Sequence, residues 1–122
     1  MTDDPQLNLQ YTRGPLAVLS LTGDVDLHTA PALRPRVLEL IEQGQHHLVM
    51  DMSQVEFCDS AGLSALIGIW HAAQAASGSM SLVAIPDRLQ RMLSMTGLDT
   101  VLTTHATAAD ALVAYRLPED AV

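Results

Sequence analysis

Aromatic residues make up only 3% of this 122-residue chain, while hydrophobic residues make up 48%. A core built from it is therefore aliphatic: Leu, Val, Ile, Ala and Met. Cysteine occurs once, at Cys58, which excludes an internal disulfide and fits a reducing compartment. Lysine is missing altogether. Six arginines stand against 14 acidic residues, for a net charge of -8. Such a surface repels phosphate backbones and anionic lipid, so nucleic acid and membrane are set aside as partners. A partner presenting arginine or lysine is favoured instead. No apolar run approaches the ~18 residues of a membrane span. The N-terminus, Met1–Pro5, has neither the basic start nor the apolar stretch of a signal peptide. These readings predict a cytoplasmic protein of one domain over residues 1–122, with its core at about 7–115 and a frayed tail at 117–122.

Along the chain, Leu7–Tyr11 alternates apolar and polar residues, as a half-buried strand does. Arg13-Gly14-Pro15 reads as a turn and Leu16–Leu21 as a second strand, giving a hairpin, and Gly23–Asp26 closes that second strand. Thr29 is a candidate N-cap for a helix carrying Leu33, Val37, Leu40 and Ile41, ended by Gly44. Pro35 lies too deep for a helix capped there, which predicts either a kink or a later start near Arg34. Leu48–Met52 reads as a buried strand, followed by a polar turn. A helix then runs from Ser60 to about Ala76, with Leu63, Leu66, Ile67 and Trp70 as its bulky stripe. Ala61, Ala65, Gly68, Ala72 and Ala76 form its small-residue flank. After a break at Ser77-Gly78-Ser79 come a strand at Met80–Ala84 and a helix opened by Pro86, with Leu89, Met92, Leu93 and Thr96 on one side. Gly97 ends that helix. A short strand at Val101–Thr103 follows, then a helix from Thr107 with Leu112 and Tyr115 inward. Two strands followed by helix–strand alternation define an α/β fold with a mixed sheet.

The stretch Leu48–Trp70 concentrates the chemistry. It places Ser60 at the first turn of a helix, just beyond a buried strand, where unpaired N–H groups and the helix dipole receive anions. A phosphate on Ser60 would suit the helix while transforming the local charge. The bland alternative is a serine that merely caps its helix, but Asp59 is itself a good cap, so that role is already filled. Ala61 and Gly62 are small and leave room for a kinase active site to approach. Asp24 falls at a strand end where it can lie close to Ser60. Asp26, in the same loop, reads by default as a solvated acid. Adding roughly 1.5–2 negative charges beside Asp24 and Asp59 would expel an acidic partner surface or move a neighbouring loop.

Other chemistries fare worse. A Gly-x-Ser-x-Gly elbow is half met, since Cys58 stands where the first glycine belongs. His71 lies about three helical turns from Ser60, outside hydrogen-bond reach. His28 sits in a loop and stays open as a base, but no nucleophile–base–orienter set is assembled. His46 and His47 are adjacent, with side chains expected to diverge, while His28, His71 and His105 are scattered, so no metal site is expected. No glycine-rich phosphate cradle is present, and no cofactor is expected. Trp70, Met50, Met52, Met92 and Met95 read as core filling, and Cys58 as a small packing residue.

Four motifs in order, Leu21–Asp26, Leu48–Ser53, Asp59–Leu63 and Met95–Leu98, resemble the STAS domains, in particular the bacterial anti-sigma factor antagonists. The resemblance covers about Leu7 to Tyr115. It implies a mixed sheet of about five strands, its first strand at an edge, with about four helices packed mainly on one face. It also implies partner switching. In that family the unmodified antagonist binds an anti-sigma factor that is a serine kinase, releasing a sigma factor. The kinase, using its own ATP and magnesium, phosphorylates and so dismisses the antagonist, and a PP2C-type serine phosphatase resets it. Carried over, Ser60 is the phosphoacceptor. Asp24 matches the acidic loop position and Asp59 the residue before the acceptor. Asp24, Asp26, Asp59, Ser60, Ala61 and Gly62 form the partner-binding set. The family often has a second Ser or Thr where this chain has Ala61, which leaves Ser60 the sole hydroxyl of the motif. The alternative is a STAS regulatory or structural subunit of a transport or stress-signalling assembly, without a sigma factor partner.

Overall fold

The computed structural model describes residues 7–114. Its strands are β1 (Leu7–Arg13), β2 (Leu16–Val25), β3 (His47–Cys58), β4 (Ser79–Val83) and β5 (Thr103–His105). Its helices are α1 (Leu33–Glu42), α2 (Ser60–Ala75), α3 (Asp87–Thr96) and α4 (Ala108–Ala114), with 3-10 turns at Ala30–Ala32 and Leu98–Thr100. The strands form one sheet in the order β1-β2-β3-β4-β5. β1 pairs antiparallel with β2 as an edge strand, and all other pairings are parallel.

That monotonic order decides where the helices go. Right-handed crossovers that always step in the same direction across a sheet leave every connecting helix on one face. Accordingly Leu33 and Val37 of α1, Leu63, Leu66, Ile69 and Ala73 of α2, and Leu89 and Leu93 of α3 share one core. The sheet contributes Ala17, Leu19, Leu21, Leu48, Met50, Met52, Met80 and Leu82 to it. The helix after the last strand crosses to the other face, where Ala111 of α4 meets Leu16, Val18, Val49 and Val83. β3 is thus buried on both sides, as its apolar run Leu48–Met50 requires.

Several boundaries differ from the sequence expectation. The polar turn expected after Met52 is strand: β3 continues to Cys58 and pairs with an equally extended β2, Gln54 opposite Thr22 and Cys58 opposite Val25. Register shifts between Ser20 and Thr22 and between Gly23 and Asp24 disrupt the alternation. Only Met52, Val55 and Cys58 are buried in this stretch, every third residue, a period that reads as neither strand nor helix. Thr29 does not cap α1. The helix starts later, at Leu33, so Pro35 falls in the first turn, where its absent N–H would have no intrahelical partner anyway. On α2 it is Ile69 that joins Leu63 and Leu66 in the buried stripe, whereas Ile67 and Trp70 pack at its margin. Met95 is not core filling: it is 83% exposed, pointing away from the Leu89–Leu93 face of α3. The last strand begins two residues later than expected because Leu98–Val101 is held in a helical turn, with the Leu102 N–H donating to the Leu98 carbonyl at 2.8 Å. Gly97 ends α3 as anticipated, in the left-handed region at φ 77°. Tyr115 and the tail from Pro118 lie outside the described residues.

Candidate functional site

The parallel strands β2 and β3 end side by side, and the chain leaves them to build one rim. Asp59 stands between β3 and α2 with extended backbone, φ -100° and ψ -172°, as an N-cap residue does. Its Oδ1 accepts the Gly62 N–H at 2.9 Å, and its Oδ2 accepts the Leu27 N–H, from the loop after β2, at 3.3 Å. Its own N–H donates to the Val25 carbonyl at 3.3 Å. One aspartate therefore caps α2 and pins the β2–α1 loop to it.

Gly62 completes this junction from below. It is buried, and a Cβ built on it would overlap the Val25 carbonyl oxygen and lie 2.8 Å from the carbonyl carbon. Its smallness serves the contact between α2 and the end of β2, not access for a partner from outside. Ala61 is half-buried beside it, and Ser60 is exposed. No hydrogen bond to another described residue holds the Ser60 hydroxyl, because Asp59 has taken the cap. Asp24 is exposed and sits opposite Phe57 in the β2–β3 register.

Asp26, expected only to be solvated, organises the loop. Its Oδ1 accepts the N–H groups of His28 at 2.9 Å and Thr29 at 3.1 Å. Thr29 reciprocates: its Oγ1 accepts the Asp26 N–H at 3.0 Å and donates to the Asp24 carbonyl at 2.7 Å. Desolvation pushes the Asp26 carboxyl up, but the bonds from Thr29 and His28 outweigh it and leave it below the usual carboxylate value. A carboxyl depressed in the folded state contributes order that is present above its unfolded value and disappears as pH falls through the folded one. Acidification below about pH 3.8 is therefore expected to release this loop. The amide resonances of His28 and Thr29 should report it, and in Asp26→Asn that pH response should vanish.

Sequence reasoning missed the apolar part of the rim. Leu27 is 66% exposed, and Phe57, the sole phenylalanine of the chain, is 42% exposed. Phe57 is left outward because the pairing of β3 with β2 turns Val55 and Cys58 inward, an arrangement that the expected polar turn did not foresee. Leu27 carried no signal, since an apolar residue between Asp26 and His28 looks like any loop residue.

The remaining candidates lie elsewhere. Cys58 is buried, as expected of a packing residue, and burial together with the neighbouring Asp59 charge pushes its thiol up to about 11. His46 and His47 stand at the opposite end of β3, and their rings do not diverge but pack with centroids 4.7 Å apart. The strand pairing with β4 holds them there, with His47 Nδ1 2.9 Å from Ser79 Oγ. His71 is exposed on α2 against Trp70, and His28 is exposed in the loop. Among the described residues no three His, Cys, Asp or Glu side chains group to hold a metal ion, and no helix is long and apolar enough to cross a membrane.

A five-stranded mixed sheet with three helices on one face and one on the other, carrying a Asp-Ser-Ala-Gly helix start at its rim, defines a class of small α/β domain. The STAS domain family model matches residues 7–111, and the chain belongs to that family. It is 35% identical over 101 residues to an anti-sigma-F factor antagonist of Mycobacterium tuberculosis, covering 83% of this chain and 82% of the relative. An anti-sigma factor antagonist from Mycobacterium paratuberculosis shares the fold with a TM-score of 0.79 at 31% identity, over 91% of this chain and 93% of that one. The phosphorylated form of the Bacillus cell fate determinant SpoIIAA superposes with a TM-score of 0.72 at 21% identity, over 90% and 99% of the two chains.

Proposed function

We propose that this protein is an anti-sigma factor antagonist: a cytoplasmic binding module, not a catalyst, that engages an anti-sigma serine kinase while unphosphorylated. The sigma factor is thereby released. Phosphorylation at Ser60 ends the association, and a PP2C-type phosphatase restores it. Asp24, Asp26, Asp59, Ser60 and Ala61 belong to the docking rim, with Gly62 holding the helix start against β2. ATP and magnesium belong to the kinase.

One observation carries this reading. Ser60 is exposed at the first position of α2 while Asp59, and not Ser60, makes the capping bond to Gly62. A hydroxyl that the fold does not use is available for modification, and the helix N-terminus accommodates the dianion that results. The antagonist names of the relatives support the same reading, as does a fold neighbour known in a phosphorylated form.

The test is incubation with the cognate anti-sigma kinase and ATP, followed by intact-protein mass spectrometry. A single phosphate should be gained by the unaltered chain and none by Ser60→Ala. A phosphate on Ser60→Ala, or none on either, rejects the assignment.

A further inference from the structure

Beside Ser60 the surface opens into an apolar groove of about 460 Å³ between α1 and α2. Pro31, Pro35 and Leu38 form one wall; Ala61, Ala65 and Gly68, on successive turns of α2, form the other. Ala61 belongs to both the groove and the phosphoacceptor motif, and Leu27 stands where the two meet. The groove is therefore continuous with the proposed docking rim.

Its depth has no internal explanation. Gly62 and Gly78 have none of this freedom, because a Cβ at either would strike backbone atoms of Val25 or His46. At Gly68 a Cβ would meet only Arg34 Nη1, at 3.7 Å, an ordinary contact. Glycine is the poorest helix former short of proline, so its place in the middle of α2 calls for an outside reason. An occupant that needs the space supplies one. The charge in the groove points the same way. Arg34 is its one charged lining residue and has no ion-pair partner among the described residues, although the chain carries 14 acidic side chains. An apolar cleft with one guanidinium that no described residue pairs suits an apolar side chain accompanied by a carboxylate, which arginine binds through two N–H groups.

We propose that the α1–α2 groove receives an apolar side chain of the partner kinase, and that a carboxylate on the same partner segment pairs with Arg34. This inference rests on the proposed function and assigns its specificity to a groove that begins at Ala61 and runs along α2 to Gly68.

The experiment is calorimetric titration of the cognate anti-sigma kinase with the unphosphorylated full chain and three variants. Gly68→Leu, which fills the groove, should weaken binding at least tenfold while leaving the thermal midpoint unchanged or raised. Arg34→Glu, at an exposed position that does not threaten the fold, should weaken it at least tenfold, and Arg34→Lys, which keeps the charge but not the two-pronged contact, should recover only part of the loss. Wild-type affinity in both Gly68→Leu and Arg34→Glu, with Ser60→Asp still weakened, overturns the groove assignment and leaves the proposed function standing. No affinity of the unaltered chain for the kinase overturns both. Self-association of the unaltered chain that Gly68→Leu abolishes, with kinase binding intact, overturns the inference in favour of a second copy as occupant.

Discussion

Gly62→Ala is expected to destabilise the protein by about 2 kcal/mol or more, the upper part of the range for overpacked sites. The added methyl would overlap the Val25 carbonyl oxygen, and it would also lie 3.0 Å from Cys58 Sγ. Two backbone segments meet there, so no flexible side-chain end can swing aside. Either α2 lifts from the end of β2 or its first turn unwinds. Both outcomes break the bonds through which Asp59 holds Gly62 and Leu27. Alanine's better helix propensity returns at most ~1 kcal/mol of this. The same substitution two turns along, Gly68→Ala, has no such obstacle and should be neutral or stabilising by up to ~1 kcal/mol. Urea unfolding of the two variants compares one chemical change on one helix with opposite signs. Equal stability of Gly62→Ala and the unaltered chain would contradict the close approach of α2 to β2.

The parts of the fold that follow a single period were readable from the residues. The starts of Leu16–Leu21 and Leu48–Met52, the strand at Met80–Ala84 and the helices on either side of it fell within a few residues of their observed limits. What escaped was structure set by pairing between segments far apart in sequence. The second half of β3 is strand because β2 is extended beside it, through two register shifts that erase the two-residue alternation. Nothing within Ser53–Cys58 announces this. Ala84, at φ 55°, is another case: the left-handed turn out of β4 is taken by a residue with no preference for it. At the site, Asp59 as cap and Ser60 as the exposed hydroxyl were legible because capping is local chemistry. The work of Asp26 was not, since its partners, His28 and Thr29, are backbone N–H groups that any sequence would offer. Nor was the burial of Gly62, whose reason lies at Val25, 37 residues earlier.

Placing a phosphate on Ser60 should weaken binding to the proposed partner kinase by a hundredfold or more, about 2.7 kcal/mol. Three contributions add. The group carries roughly -1.5 to -2 charges. It enters beside Asp59, which caps the same helix and holds the loop that Asp26 organises. Docking would also strip water from a dianion, which is costly unless the partner supplies compensating donors. The helix itself loses nothing, because an anion at an N-terminal first turn is favourable by about 0.3–1 kcal/mol. Stability and binding are therefore expected to move in opposite directions. Ser60→Asp offers a milder version, with one charge and a shorter reach. Its thermal midpoint should rise slightly, and its affinity for the kinase should fall about tenfold, or ~1.4 kcal/mol. The phosphorylated chain should regain part of its affinity when pH drops below about 6, where the phosphate takes up a proton. Ser60→Asp has no such transition and should show no recovery over the same interval. A phosphorylated or Ser60→Asp chain that binds like the unmodified protein would mean that the rim at Ser60 does not face the partner.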